Sequence, residues 1–134
     1  MTHTGTEKRM KIGVFSRLAD RTLSGQPVRF CDIRELAVAA EAVGLDSFWL
    51  PDHFIYRPHE ADQIGCWEVL TFLSALASVT TKIALGSLVA ATSFRNPALL
   101  AKMADALDEI ADGRFLLIGS ADWQFVLIGS ADEC

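Results

Sequence analysis

The amino-acid sequence predicts an α/β protein made of parallel β/α units. Four short apolar runs begin near residues 11, 47, 82 and 114, so that 32 to 36 residues separate one run from the next. This spacing matches the length of a β-strand followed by a crossover helix. The runs are almost continuously apolar, as strands of a covered parallel sheet are, and amphipathic segments lie between them. The predicted core is therefore three strand-helix units and a fourth strand, (βα)3β, followed by a tail.

The chain length limits whether the predicted sheet can close into a barrel. The 134 residues are enough for one domain, which we divide into a leader over 1–10, β/α units over 11–119 and an irregular, repetitive tail over 120–134. A closed eight-stranded β/α barrel needs about 250 residues. Two architectures fit this length: a truncated barrel, the N-terminal half of a TIM (β/α)8 barrel, and an open doubly wound sheet. A small flavodoxin-like sheet that uses the tail as its fifth strand is a third.

The first unit begins with a short buried strand over Lys11–Phe15 (KIGVF). A turn-rich loop follows, after which Asp32 stands three residues before Glu35, the spacing of a capping box. Gly44 lies where a left-handed residue commonly ends a helix. The spacing therefore predicts an amphipathic helix of about a dozen residues between these two signals.

The second unit begins with a strand over Ser47–Leu50 (SFWL), which Pro51 ends because proline cannot donate a ladder hydrogen bond. The polar segment over Pro51–Gly65 is the longest predicted loop, and loops of this length in compact domains are often functional. The segment Trp67–Val79 is apolar over a wide helical face. We expect a helix there that is buried on more than one side.

The third unit begins with a strand over Lys82–Val89 (KIALGSLV), and Gly86 inside it indicates a bulge or a close approach of the backbone to another group. Asn96 followed by Pro97 combines an N-cap side chain with a favourable first helical residue. The predicted helix runs from there to an Asp-Gly pair. Arg114–Ile118 (RFLLI) is the fourth predicted strand.

The tail contains a near-repeat with a period of ten residues: FLLIGSADWQ (Phe115–Gln124) is followed directly by FVLIGSADEC (Phe125–Cys134). The short link between the two apolar windows favours a hairpin, and hence antiparallel pairing of the second window with the fourth strand. Both windows are prone to aggregation. Because unpaired edge strands attract partners, we expect a homo-oligomer that forms through the open edges of the sheet.

Charge and composition exclude several classes of partner. The formal net charge is -5 and the basic residues are scattered, so we expect no nucleic acid partner. No apolar run reaches the roughly 18 residues of a membrane span, so we expect no membrane partner. Three widely spaced cysteines without a paired motif predict a reducing, cytoplasmic setting. No metal site is predicted, because the candidate ligands lack a recognised spacing: His53, His59, Glu60 and Cys66.

Two polar residues follow the second predicted strand at once. Ligands of parallel α/β proteins bind beyond the carboxyl ends of the strands, where Asp52 and His53 would lie. Histidine titrates near neutral pH and suits proton transfer, and a neighbouring carboxylate influences its charge. A purely structural interpretation also fits, in which Asp52 caps the turn after Pro51 and His53 is an ordinary loop residue.

Motifs that occur in order along the chain carry a resemblance to a known family: GLDSFWLPDHF (Gly44–Phe54), WEVLTFLSALASVTTKIALGSLV (Trp67–Val89), RNPALLAKMADALDEIADGRFLL (Arg95–Leu117) and Trp123. Together they resemble the N-terminal half of the luciferase-like oxidoreductases. Members of this family are β/α barrels that use FMN or the deazaflavin F420. The resemblance extends from Lys11 to Trp123 and does not identify a substrate.

The resemblance implies roles for particular residues. Asp52 and His53 are implied to lie beside the cofactor ring and to be catalytic. A cis peptide bond that does not involve proline is implied between two residues of the third strand and makes a bulge behind the ring; by position it joins Leu88 to Val89. The cofactor-binding residues implied by the resemblance are Gly86, Ser87, Leu88, Val89 and Trp123.

The chain departs from the family after the fourth strand. The family usually has a glycine-spaced stretch there, whereas this chain has Ile118, Ser120 and Asp122 at the glycine positions. An aspartate near an anionic cofactor would add repulsion as well as bulk. The implied function is a flavin- or F420-dependent oxidoreductase or monooxygenase that acts on an unknown small molecule. The alternative is a non-catalytic half-barrel that self-associates or pairs with a partner.

Overall fold

The computed structural model describes residues 9–58, 63–121 and 124–128. The four strands and three helices expected from the sequence are all present, with ends that differ by a few residues. In chain order the elements are β1 (Gly13–Phe15), α1 (Phe30–Ala42), β2 (Ser47–Leu50), β3 (Ile55–Tyr56), β4 (Ile64–Gly65), α2 (Val69–Ala77), β5 (Ala84–Ala91), a 3-10 turn (Thr92–Phe94), α3 (Pro97–Ile110), β6 (Phe115–Ala121) and β7 (Gln124–Ile128).

Five of the strands form one sheet in the order β1-β2-β5-β6-β7. The first four of these pair in parallel, and each is added beside the one before it in the chain. Successive addition on one side is the order of a β/α barrel, whereas a doubly wound sheet reverses its direction of growth partway. The strand order therefore agrees with the barrel architecture.

All three helices pack on the same face of this sheet. One buried cluster contains Phe48 of β2 and Leu85 of β5 together with Ala37, Leu73 and Leu107 from the three helices. A doubly wound sheet carries helices on both faces. The one-sided arrangement therefore confirms the predicted α/β fold as part of a TIM barrel and excludes the doubly wound alternative.

The other face of the sheet carries the strand residues that alternate with the buried ones. We call this surface the open face; among its residues, Phe15 and Leu88 are exposed. The strand register places its members side by side across the sheet: Phe15, Trp49, Gly86, Leu88, Leu116 and Ile118. In a closed barrel this surface would face the interior.

The start of α1 differs from the expectation. The helix begins at Phe30, and Asp32 is its third residue rather than its cap. Its carboxylate accepts the backbone N–H of Arg29 at 2.7 Å, so the acidic group serves the helix start from inside the first turn. The predicted end is confirmed, because Gly44 adopts a left-handed conformation with φ of +81°.

The other two helices start from side-chain caps. α2 begins at Val69 with Glu68 as its N-cap, and it is shorter than the predicted Trp67–Val79. α3 begins as predicted, because the Asn96 side chain accepts the backbone N–H of Ala98 at 2.9 Å. Proline at the first helical position completes that start.

The segment Pro51–Gly65, expected to be a loop, contains structure of its own. β3 and β4 pair antiparallel within it, with Ile55 opposite Gly65 and Tyr56 opposite Ile64. These four residues are therefore strand rather than the predicted loop. His59 and Glu60 lie outside the described residues.

The tail is more regular than expected. β6 runs to Ala121, three residues beyond the predicted end at Ile118, and β7 pairs antiparallel with it from Gln124 onward. Antiparallel pairing of the second apolar window is confirmed, and an irregular tail is wrong for residues 124–128. Trp123, Asp122 and residues 129–134 lie outside the described residues. None of the helices in the described ranges is long and apolar enough to cross a membrane.

Candidate functional site

The candidate site lies at the carboxyl ends of β2 and β5, which pair in parallel and so end at the same edge of the sheet. Pro51, Asp52 and His53 follow β2 directly. The last residues of β5 lead into the 3-10 turn and then into Arg95, which precedes the cap of α3. The chain thus brings a carboxylate, an imidazole and a guanidinium to one edge, which is where parallel α/β proteins bind ligands.

Asp52 is buried, and its carboxylate is ion-paired. Both guanidinium nitrogens of Arg95 donate to it, with Nη2 at 3.0 Å from Oδ1 and Nη1 bonded to Oδ2. The backbone N–H of Ala91, the last residue of β5, donates to Oδ2 at 3.0 Å. This two-pronged geometry is typical of strong arginine-carboxylate pairs. It joins the end of β2 to the end of β5.

Glu68 extends this pairing to a second carboxylate. It binds Nη2 of Arg95 and also accepts the N–H of Thr71 at 2.7 Å as the cap of α2. Partial burial opposes ionisation of Glu68, but hydrogen bonds from Thr71 and Arg95 outweigh it and lower the pKa of this carboxyl. Hydrogen bonding to Asp52, and then to Glu68, raises the pKa of Arg95 further above its ordinary value.

His53 differs from its neighbour in exposure. Asp52 is buried, whereas the next residue, His53, is exposed at the rim of the site. Phe54 follows and stacks on Phe94 of the 3-10 turn, with ring centroids 4.0 Å apart and 14° between ring planes. Exposed His53 therefore lies in the chain between a buried, ion-paired residue and a residue of an aromatic pair.

A tryptophan explains the glycine inside β5. A Cβ atom on Gly86 would lie 2.2 Å from the Trp49 ring, and one on Gly13 would lie 2.9 Å from its Nε1. The same Nε1 donates to the Ser47 hydroxyl at 2.8 Å. The indole therefore lies across the open face with both glycines under it. A ligand approaching Gly86 from this face meets Trp49 first.

The cis peptide bond between Leu88 and Val89 is present, as the resemblance implied. The register of β5 against β6 shifts between Leu88 and Ala90, which makes the expected bulge. Leu88 is 42% exposed on the open face. Ser87 is fully buried on the opposite side, where its hydroxyl donates to the carbonyl oxygen of Ile118 at 3.1 Å. Of this group, Leu88 and Val89 thus lie at the bulge and Ser87 turns its side chain toward the helices.

The open face fits the planar ring that the resemblance implies. Flat ring systems bind to apolar surfaces with a few polar groups at the rim. Trp49 and Leu88 supply such a surface, and exposed His53 follows β2, the strand that carries Trp49, by three residues. Ile118, which replaces a family glycine, pairs with Leu88 across the sheet and adds a side chain to this surface. Within the described ranges, no cluster of His, Cys, Asp or Glu could hold a metal ion.

The sequence reasoning missed the partners of Asp52. In the sequence, Arg95 is only the residue before the Asn96 cap of the third helix, and Glu68 lies only within the apolar segment Trp67–Val79. Arg95 lies 43 residues from Asp52 and 27 from Glu68, so no local pattern links them. The position of Arg95 in the sequence could have indicated this pairing. An arginine that follows a parallel strand lies at the same edge of the sheet as the residues that follow the neighbouring strand.

The comparisons with known proteins agree with this geometry. The luciferase-like monooxygenase family model matches residues 10–127. The F420-dependent glucose-6-phosphate dehydrogenase of Amycolatopsis mediterranei (strain U-32) is 38% identical over 91 residues, which cover 66% of this chain and 27% of that protein.

Solved structures show the same relationship. An F420-dependent secondary alcohol dehydrogenase in complex with an F420-acetone adduct aligns with a TM-score of 0.66 and 26% identity, over 81% of this chain and 31% of that one. A second similar structure is a type II Baeyer-Villiger monooxygenase in complex with FMN, the oxygenating constituent of 3,6-diketocamphane monooxygenase from the CAM plasmid of Pseudomonas putida. It aligns with a TM-score of 0.70 and 26% identity, over 87% of this chain and 30% of that one.

The chain spans between about a quarter and a third of the length of these relatives. The family match nevertheless covers most of the chain, in the same segment that carries the sheet, the bulge and the polar edge. The chain belongs to the luciferase-like monooxygenase family.

Proposed function

We propose that this protein is a luciferase-like oxidoreductase that binds F420 or FMN at the carboxyl edge of its sheet and acts on a small organic molecule. The observation that carries the proposal is that Asp52, the residue before exposed His53, is hydrogen-bonded to Ala91 at the end of the bulged strand. F420 is the preferred cofactor of the proposal, because the similar dehydrogenase from Amycolatopsis mediterranei is named for it.

In this proposal, different residues of the protein have different roles. A bound cofactor would accept a hydride from the substrate or donate one to it, or would activate oxygen. His53 holds or moves a proton at its imidazole, since it is the exposed titratable group at the rim. Leu88 and Val89 support one side of the ring, with Gly86 and Ser87 in the same strand. Trp123 belongs to the proposed cofactor site by resemblance alone.

The cysteines bear on the location of the protein in the cell. Cys31 and Cys66 are free thiols, which is typical of a reducing compartment. We therefore propose a cytoplasmic location.

A cofactor titration tests the proposed function. The full chain is titrated with F420 and, separately, with FMN, and binding is followed by the fluorescence of each cofactor. We expect saturable binding, tighter for F420, and weaker binding by His53→Ala. The matched control is Arg34→Ala, which changes an exposed side chain on the helix side of the sheet. Failure of both cofactors to bind would contradict cofactor-dependent function in this chain.

A specific observation favours a second candidate function. The open face exposes apolar side chains, Phe15 among them, and β1 at the sheet edge is only three residues long. Exposed apolar side chains that share one face are typical of an interaction site. The second candidate is therefore a non-catalytic half-barrel that associates with a second copy of itself.

A further inference from the structure

Three charged side chains form a connected chain at the carboxyl edge of the sheet. Arg95 lies between Asp52 and Glu68 and donates to both. The side chains of Asp52 and Arg95 are only 3% and 9% exposed, whereas that of Glu68 is 40% exposed. The network thus runs from a buried carboxylate, through a buried guanidinium, to a carboxylate that reaches solvent.

The Asp52 carboxylate has little capacity left for a substrate. Its two oxygens accept three hydrogen bonds, from two nitrogens of Arg95 and from the N–H of Ala91. A carboxylate offers about four acceptor positions. Asp52 is also buried, whereas the next residue, His53, is exposed to solvent.

The network joins the elements that carry the candidate site. Asp52 is bonded along the chain to His53, and Ala91 ends the bulged strand β5. Arg95 is followed directly by the cap residue of α3, and Glu68 is itself the cap of α2. One guanidinium therefore links the ends of two strands to the starts of two helices.

We infer that Asp52, Arg95 and Glu68 are positioning residues: Arg95, backed by Glu68, holds Asp52 in place, and Asp52 in turn positions His53 and the end of the bulged strand. The inference rests on the proposed function, in which His53 and the bulge face the cofactor. It makes Asp52 a support for its neighbour rather than a catalytic residue. Lysine at position 95 would not suffice, because it lacks the planar fork that binds both oxygens.

The test distinguishes a role of these residues in positioning the site from a role in stabilising the fold. Four variants of the full chain are compared: Asp52→Asn, Arg95→Met, Arg95→Lys and the double variant Asp52→Asn/Arg95→Met. Asp52→Asn deprives the buried Arg95 of one of its two carboxylates, and Arg95→Met leaves the buried Asp52 carboxylate without its ion-pair partner, so we expect a clear fall in melting temperature for both. The double variant removes both charges, so we expect it to recover most of that fall.

In the double variant, the cofactor affinity and the NMR signals of His53 should not return to wild-type values, although the stability recovers. We expect the double variant and Arg95→Lys to bind F420 about tenfold more weakly than the wild type, because the rim is no longer held in place. In both of these variants, the imidazole cross-peaks of His53 in a nitrogen-correlated NMR spectrum should remain displaced from their wild-type positions. Arg34→Met is the control and should change neither readout. Glu68→Gln should give a smaller displacement in the same direction.

Two results would overturn the inference. One is a double variant whose F420 affinity and His53 signals both return to wild-type values with its stability. The other is an Arg95→Lys variant that matches the wild type in both. If the wild-type chain binds neither F420 nor FMN, the proposed function fails, and the His53 signals of the double variant still decide whether the network positions this residue.

Discussion

Single carboxylates join distant elements in this chain. Glu41, near the end of α1, accepts the backbone N–H groups of Thr81 at 2.9 Å and Lys82 at 2.7 Å, and the Thr81 hydroxyl at 2.9 Å. It thereby ties α1 to the turn before β5. Partial burial opposes its ionisation, but these hydrogen bonds prevail and lower the pKa of Glu41 below its ordinary value. Asp52 makes the same kind of junction at the opposite end of the strands.

Glu41→Gln should make stability less dependent on pH. A pKa that is lower in the folded state means that the carboxylate stabilises the fold above its unfolded pKa, and that this contribution disappears as pH falls through the folded pKa. At pH 7 we expect the variant to lose about 1 kcal/mol of unfolding free energy, because charge-assisted bonds are replaced by weaker ones. In acid, below the ordinary pKa of glutamate, this difference should shrink.

Urea denaturation at neutral and acid pH measures this effect. Glu35→Gln is the matched control on the same helix, since Glu35 is exposed and lies 4.0 Å from Arg34. It should change stability little at either pH. Equal stability of Glu41→Gln and the wild type at neutral pH would show that the junction contributes nothing.

At the scale of elements, the contact between β2 and its two neighbours depends on Trp49. Its indole covers Gly13 on β1 and Gly86 on β5, and its nitrogen donates to Ser47 on its own strand. The three strands therefore share one side chain on the open face. Glycine in β5 is needed here for space, because a Cβ atom would overlap the ring.

Gly86→Ala should destabilise the sheet by displacing this ring. The added carbon would lie 2.2 Å from the indole, so Trp49 has to move and the bond to Ser47 is lost. We expect a cost of about 1 to 3 kcal/mol, measured by urea denaturation. Trp49→Leu is the companion change, because a smaller side chain leaves room for the methyl group. If the two substitutions cost the same together as the sum of their separate costs, the ring is not what excludes a side chain at position 86.

The elements themselves were largely predictable, because their signals are local. Asn96 followed by Pro97 started α3 where expected, and Gly44 ended the first helix as expected. The start of α1 differs from the expected one by three residues, because an acidic side chain can serve a helix start from the cap or from the first turn. The β3-β4 pair was missed, since strands of two residues are too short to show an alternating pattern.

At the scale of the whole molecule, the described residues form a sheet with helices on one side only. Phe15 is 50% exposed on the open face, beside partly exposed Trp49. Large apolar surfaces of this kind favour association in water. β7 pairs along β6, so within the described ranges the outer edges of the sheet belong to β1 and β7.

Phe15→Ser should weaken self-association if the open face is the contact. Sedimentation velocity over a range of protein concentrations measures the shift from monomer to larger species. We expect the wild type to associate and the variant to remain monomeric to higher concentration. Leu36→Ser is the matched control, because Leu36 is an exposed apolar residue of α1 on the helix side. A wild type that is monomeric throughout would argue against the half-barrel module.

The sequence by itself determined the order of strands and helices, the parallel β/α plan, the family and the position of Asp52 and His53 after β2. Each of these depends on short patterns or on residues adjacent in the chain. The tertiary structure alone decided that the helices share one face, that Trp49 covers two glycines and that Arg95 holds Asp52 across 43 residues. Burial and charge pairing depend on which strands become neighbours, and that is set by packing of the whole chain.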